Sequence, residues 1–280
     1  MHPADVAFAV PKALAAARVT LRVVERLDRG GAKHLVKRYA ATINKVYIWT
    51  LTSYDRVCWL DADMIVTKNI DDVFHTDFSG GMAMAAAPGC TCNIFRRPGV
   101  PTSPHGCPFN CPGPEHPYYA NTGLMMIEPS LETFEFLRSE VDYDMPYPDQ
   151  DAFNIVFKGR IVQLPPRYNF MNQLPIAHPN MLSYDDIAVY HFCYGKPWDA
   201  ANLNPLGVNP AMYELWRRTL AAIRGGASAA SRAATPAPRK APSALLSKVA
   251  KEEEADDLCG VSDQLEETGA VTKLQVTSCA

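Results

Sequence analysis

No apolar run in this 280-residue chain reaches the roughly 18–20 residues that a membrane-spanning helix needs. The sequence opens Met1-His2-Pro3-Ala4-Asp5, without the basic stretch and apolar stretch of a secretory leader. A cytoplasmic setting with reduced thiols is therefore the expectation. Neither acidic nor basic residues are in marked excess. With 27 Lys and Arg against 30 Asp and Glu, the net charge of -3 gives no basic field to gather nucleic acid or an anionic membrane, so neither is an expected partner. Aromatic residues are absent from the last 56 positions, 225–280, where Ala, Pro, Ser and an acidic block prevail. Such a segment cannot bury enough apolar surface to offset its ordering entropy, and it is expected to be disordered. It holds 6 basic and 8 acidic residues, so the rest of the chain is nearly neutral, 21 against 22. No internal repeat is present.

What remains, residues 1–224, suffices for one sizeable core. Apolar runs at 6–10, 19–24, 57–60, 82–87, 124–127, 161–164 and 187–190 read as strands, and the continuous run Val57-Cys58-Trp59-Leu60 suits a strand covered on both faces. Between them, residues 32–50 read as a helix, with Leu35, Tyr39, Ile43, Val46 and Trp49 at helical spacing. Ser130 caps another, with Phe134, Leu137 and Val141 on one face. A further helix covers 149–157. Asn209-Pro210 starts the last, with Met212, Trp216, Leu220 and Ile223 inward. Alternation of this kind predicts an α/β fold with a mostly parallel sheet.

The sharpest chemical feature is Leu60-Asp61-Ala62-Asp63-Met64, directly after the buried strand. In extended chain, residues two apart point to the same side, and the carboxyl end of a strand is where open α/β sheets place ligands. Two carboxylates with substrate phosphates are a usual protein share of a Mg²⁺ or Mn²⁺ site. Two solvated turn acids are the bland alternative. A second apolar strand ends in His191-Phe192-Cys193-Tyr194-Gly195-Lys196-Pro197-Trp198. Here His191 is a candidate ligand, Gly195 would let backbone approach a phosphate, and Lys196 would supply a point charge. Tyr119-Ala120-Asn121-Thr122-Gly123 puts an amide, a hydroxyl and a glycine where a loop enters a strand. Asp149-Gln150-Asp151 opens a helix, where carboxylates are also favoured simply by the dipole.

Together, and in this order, these pieces resemble glycosyltransferase family 8, the glycogenin and galactinol synthase group. The stretch from Tyr54 to Asp63 is similar to the family's metal-site strand, and Asn69-Ile70-Asp71-Asp72-Val73-Phe74 to the segment after it. Leu164-Pro165-Pro166-Arg167-Tyr168-Asn169 and the closing His191-to-Trp198 motif follow in family order. The resemblance implies a GT-A type nucleotide-diphospho-sugar transferase fold and a retaining transfer from a UDP-hexose. Asp61, Asp63 and His191 would hold Mn²⁺ or Mg²⁺. Lys45, Ala62, Asn121, Thr122, Gly123, Asp149, Gln150, Gly195 and Lys196 would line the donor, with Asp149, Gln150 and Lys196 closest to the chemistry. The family's first strand, which holds uracil and ribose with the loop and helix after it, is expected to be missing, because the likeness enters at 6–10. The domain of 1–224 would then be N-terminally incomplete.

Asp149-Gln150-Asp151-Ala152-Phe153-Asn154 and His178-Pro179-Asn180 look more like galactinol synthase, which points to a polyol acceptor. Asp-Ala-Asp, in contrast, is the glycogenin form, so a glycogenin-like α-glucosyltransferase with a glycan acceptor stays open, as does a non-catalytic nucleotide-sugar-binding remnant. A homodimer is compatible with either. Finally, Cys90, Cys92, Cys107 and Cys111 lie within 22 residues, rich in Pro and Gly. Four thiolates could hold a structural Zn²⁺, with a disulfide and four free thiols as the alternatives.

Overall fold

The computed structural model describes residues 20–27, 42–94, 107–109, 118–142, 145, 147–199, 204, 206–224 and 273–276. The expected strand at 6–10, the first part of the helix at 32–50, Cys111 and nearly all of the tail lie outside them.

The core is built on the strand β5 (Ala120–Ile127), which runs between β2 (Val57–Leu60) and β4 (Met84–Pro88) in a four-stranded sheet completed by β6 (Ile161–Gln163). Its side chains alternate between two apolar layers. Met125 and Ile127, with Met84 and Ala86 of β4, face Ile43, Val46, Trp49, Phe153 and Phe157. Leu124 and Met126, with Ala85 and Ala87, face Val73, Phe78, Leu164, Tyr168 and Val189. This two-sided burial explains the unbroken apolar runs in the sequence. Those runs report covered faces but not strand direction, and here the expectation needs correction. The sheets are mixed: β2 and β4 both pair antiparallel with β5, and only β4–β6 is parallel in this sheet.

A second, three-stranded sheet holds β3 (Met64–Val66), β8 (Val189–His191) and β7 (Phe170–Met171). β3 is antiparallel and β7 parallel to β8. β1 (Thr20–Val23) pairs antiparallel with β9 (Lys273–Val276), a strand within the segment expected to be disordered.

Two of the helices start where the sequence signals place them. α1 (Leu131–Ser139) starts where the Ser130 hydroxyl accepts from Thr133 N, and Phe134 and Leu137 go into the core. α2 (Pro148–Val156) begins on a proline, which suits the first turn. The short α3 (Leu174–Ala177) follows β7. In α4 (Pro210–Arg224) Met212 and Tyr213 are buried, but Ile223 is exposed, so the inward stripe covers only the helix's first turns. Residues Thr42–Thr50 form a 3-10 helix in place of the expected α-helix. Ile43, Val46 and Trp49 are three apart, and a helix with three residues per turn stacks them on one face. No helix among the described residues is long and apolar enough to cross a membrane.

Candidate active site

The two sheets meet at Asp61-Ala62-Asp63. Asp61 N donates to Gly123 O (2.8 Å), ending the register of β2 on β5, and Phe192 N donates to Asp63 O (2.9 Å), starting that of β3 on β8. The three residues form a turn, closed by Met64 N to Asp61 O (3.2 Å), and are not the extended segment expected. Ala62 is its exposed apex. The carboxylates converge all the same, because each strand is anchored to a different neighbour. Ligand atoms of Asp61, Asp63 and His191 lie within 4.8 Å of one another.

His191 is buried at the end of β8, and Asn169 orients it. Asn169 Oδ1 accepts from His191 Nδ1 (2.9 Å), which leaves Nε2 facing Asp63 Oδ1 at 3.2 Å. Asn169 Nδ2 donates in turn to Asn121 Oδ1 (2.7 Å), and Asn121 Nδ2 donates to Gln150 Oε1 (2.7 Å). The side chains expected to orient a sugar are thus joined to the candidate metal ligand through a fully buried asparagine. Gly123 makes the packing possible. A β-carbon there would come within 2.6 Å of His191 Cε1 and of Met64 Cε.

Two lysines hold the carboxylates. Lys196 Nζ donates to Asp63 Oδ2 and to the carbonyls of Phe192 (2.6 Å) and Cys193 (3.2 Å). The preceding Gly195 has φ 65°, the left-handed conformation that glycine adopts without strain. Lys45 Nζ sits between Asp61 Oδ1 (2.9 Å) and Asp149 Oδ2 (2.8 Å), and Thr122 Oγ1 donates to the same Asp149 oxygen (2.7 Å). Trp59 Nε1 donates to Asp61 Oδ1 (2.7 Å). Asp149 is therefore no simple helix-start acid. It is an almost fully buried partner of Lys45.

Burial disfavours every one of these charges, and the neighbours decide the outcome. Burial pushes Asp63 up, but His191 and Lys196 hold it well below the ordinary carboxylate range. For Asp61 burial prevails over Lys45, and its pKa is raised. Burial alone would lower Lys45, yet the carboxylates of Asp149 and Asp61 raise it, and Asp149 is lowered by Lys45 in return. His191 is raised, against its burial, by Cys193 and Asp63. Solvent still reaches the cluster: the side chains of Asp61 and Asp63 are 24% and 18% exposed, and that of Lys196 is 34% exposed.

Every site residue named from the sequence that falls in the described part lies in or beside this cluster, except the cysteines. Asn169, Trp59 and Tyr119 were missed. Tyr119 Oη accepts from Gln150 Nε2 (2.8 Å) and donates to Asp151 Oδ1 (2.5 Å). The one available signal for Asn169 was its place at the end of the Leu164-to-Asn169 motif, just ahead of β7.

Residues 34–202 match the family model Glycosyl transferase family 8, and the chain belongs to that family. Galactinol synthase 5 of Arabidopsis thaliana is 30% identical over 173 residues, which cover 57% of this chain and 51% of that protein. Galactinol synthase 2 of the same plant is 30% identical over 174 residues, with the same two shares. The chain spans about half the length of these curated relatives. Among solved structures, an active-site mutant of LgtC is 21% identical, with a TM-score of 0.47 over 70% of this chain and 73% of that one.

Proposed function

We propose that this protein is a retaining, metal-dependent hexosyltransferase that moves a sugar from a UDP-hexose to an acceptor hydroxyl, with a polyol as acceptor. The observation that carries the proposal is the convergence of Asp61, Asp63 and His191 at a solvent-reachable junction of two sheets. Two carboxylates and an imidazole with its other nitrogen hydrogen-bonded form a donor set suited to Mn²⁺ or Mg²⁺. A divalent cation bound there would offset the charge that develops on a departing diphosphate.

The chain's own residues supply the rest. Lys196, held by Asp63 and two carbonyls beside the candidate metal ligands, offers a preorganised cation for a phosphate oxygen of the donor. Asn121 and Gln150, braced by Asn169 and Tyr119, present amide groups that would orient the hexose. Asp149 is engaged by Lys45, Thr122 and Thr42, so its carboxylate is a better positioning group than a nucleophile. That favours front-face substitution, in which the leaving phosphate oxygen takes the acceptor's proton, over a double displacement.

The likeness to galactinol synthases supports UDP-galactose as donor and myo-inositol as acceptor, ahead of UDP-glucose and an α-glucan. A screen of UDP release over both donors, with and without each acceptor, tests this. Turnover greatest with UDP-galactose and myo-inositol is the expected result. Sugar added to the protein itself would replace this reading by the glycogenin-like one, and no turnover of either donor would leave a nucleotide-sugar-binding remnant.

A further inference from the structure

A second cluster of metal-ligating side chains lies apart from the carboxylates. Strand β4 ends at Pro88, and Gly89 N donates to Tyr119 O (2.8 Å), which fixes where the chain enters Cys90-Thr91-Cys92. Cys107 joins them and is buried, 1% exposed. The fourth member comes from elsewhere: His178, which ends α3 in the other sheet's layer. Its Nε2 lies 3.4 Å from Cys90 Sγ, 3.5 Å from Cys92 Sγ and 3.4 Å from Cys107 Sγ, and Cys90 and Cys107 Sγ are 4.0 Å apart.

These distances have a simple meaning. For zinc bonds of about 2.3 Å to sulfur and about 2.0–2.1 Å to nitrogen, tetrahedral angles put sulfur and nitrogen about 3.6 Å apart and two sulfurs about 3.8 Å apart. The observed separations fall close to both values. A disulfide needs sulfurs about 2.0 Å apart and would pair two of the thiols, which gives no reason for a third thiol and an imidazole to gather around the same point. The surroundings are those of a held ligand set. The backbone N–H groups of Thr91 and Phe109 donate to Cys107 Sγ, and the Phe109 ring lies 5.1 Å from that of His178.

We propose that Cys90, Cys92, Cys107 and His178 bind one structural Zn²⁺, which clamps the segment after β4 onto the end of α3. Four protein ligands close the coordination shell, so the ion has no open position and no part in sugar transfer. Three thiolates and an imidazole select a soft or borderline cation, whereas the carboxylate-rich site at Asp61 and Asp63 suits a hard one, so the protein sorts two metals by ligand chemistry. The clamp lies against the sugar-orienting side of the cluster: a β-carbon at Gly89 would be 3.4 Å from Asn121 N. The fourth ligand is thereby His178, and Cys111 of the sequence-based set is dispensable.

Elemental analysis of the untagged full chain tests the proposal. One zinc per chain is expected, retained in Cys111→Ser and Cys58→Ser and lost in Cys107→Ser and His178→Ala. Replacement by Co²⁺ in the unmutated protein should give tetrahedral d–d bands with a thiolate-to-cobalt charge-transfer band, which a metal held by Asp61 and Asp63 cannot produce. That reading does not depend on how well the variants fold. No zinc and no charge-transfer band would overturn the site, as would a Cys90–Cys107 disulfide found in the unreduced protein. Zinc that survives His178→Ala and leaves with Cys111→Ser would overturn the ligand set.

Discussion

Gly123 shows how closely a single residue can be tied to the chemistry. Met64 Cε can swing away from an added β-carbon, but the His191 ring is held by Asn169 and has to shift. Misplacement of a site group by about 1 Å can cost roughly 10²-fold in rate. Gly123→Ala is therefore expected to lower kcat/KM for sugar transfer by about that factor, beside an overpacking cost of about 1–3 kcal/mol in stability. Unchanged kinetics would contradict the packing. The Lys45–Asp149 pair offers a test of electrostatics. Breaking a buried pair typically costs about 3–5 kcal/mol, and Asp149→Asn should fall at the low end because Asp61 stays beside Lys45. The folded pKa of Asp149 is lowered, so its contribution is complete above the unfolded value of about 3.9 and is lost as the pH falls through the folded value. Urea melts should accordingly show a gap between mutant and unmutated protein near neutral pH that narrows in acid. Asp61, Asp63 and His191 could be read from the sequence because the two acids follow one apolar strand directly and the histidine ends another. Asn169 and His178 could not. Each acts on a partner far along the chain, 22 residues away for His191 and 71 for Cys107, and the motifs that contain them carry no sign of those partners.

At the scale of elements, β5 carries most of the fold. It is covered on both faces and flanked by β2 and β4, so truncation of its side chains leaves a cavity that neither layer can easily fill. Met125→Ala is expected to destabilise the protein by about 2–5 kcal/mol, measured by urea denaturation, and a cost below about 1 kcal/mol would contradict the central place given to this strand. Apolar runs made β1, β2, β4, β6, β8 and the second half of β5 legible, whereas the short β3 and β7, β9 and the start of β5 at Ala120 were not; α1 was legible from Ser130 and its core-facing residues, and α2 from the acids that open it. Strand direction was not, since an antiparallel strand buried on both faces reads like a parallel one. The 3-10 form of Thr42–Thr50 was hidden for a similar reason: Ile43, Val46 and Trp49 satisfy a spacing of three and also one of three to four.

On the scale of the whole molecule, the candidate site exists because two sheets share one turn. β2 ends and β3 begins at Asp61-Ala62-Asp63, while β5 delivers Asn121, Thr122 and Gly123 from one side and β8 delivers His191 from the other. Neither sheet alone contains the cluster. The family match over residues 34–202 spans both sheets, in keeping with a site that needs both. Most directly at stake is whether sugar transfer depends on a cation held at this turn. UDP release from UDP-galactose, followed with Mn²⁺ and again after chelation, in the unmutated protein and in Asp63→Asn, decides it. The site predicts turnover that vanishes with chelation, returns with Mn²⁺, and falls by roughly 10²–10³-fold in a folded Asp63→Asn protein. Turnover that persists undiminished in the chelated protein or in Asp63→Asn would contradict it.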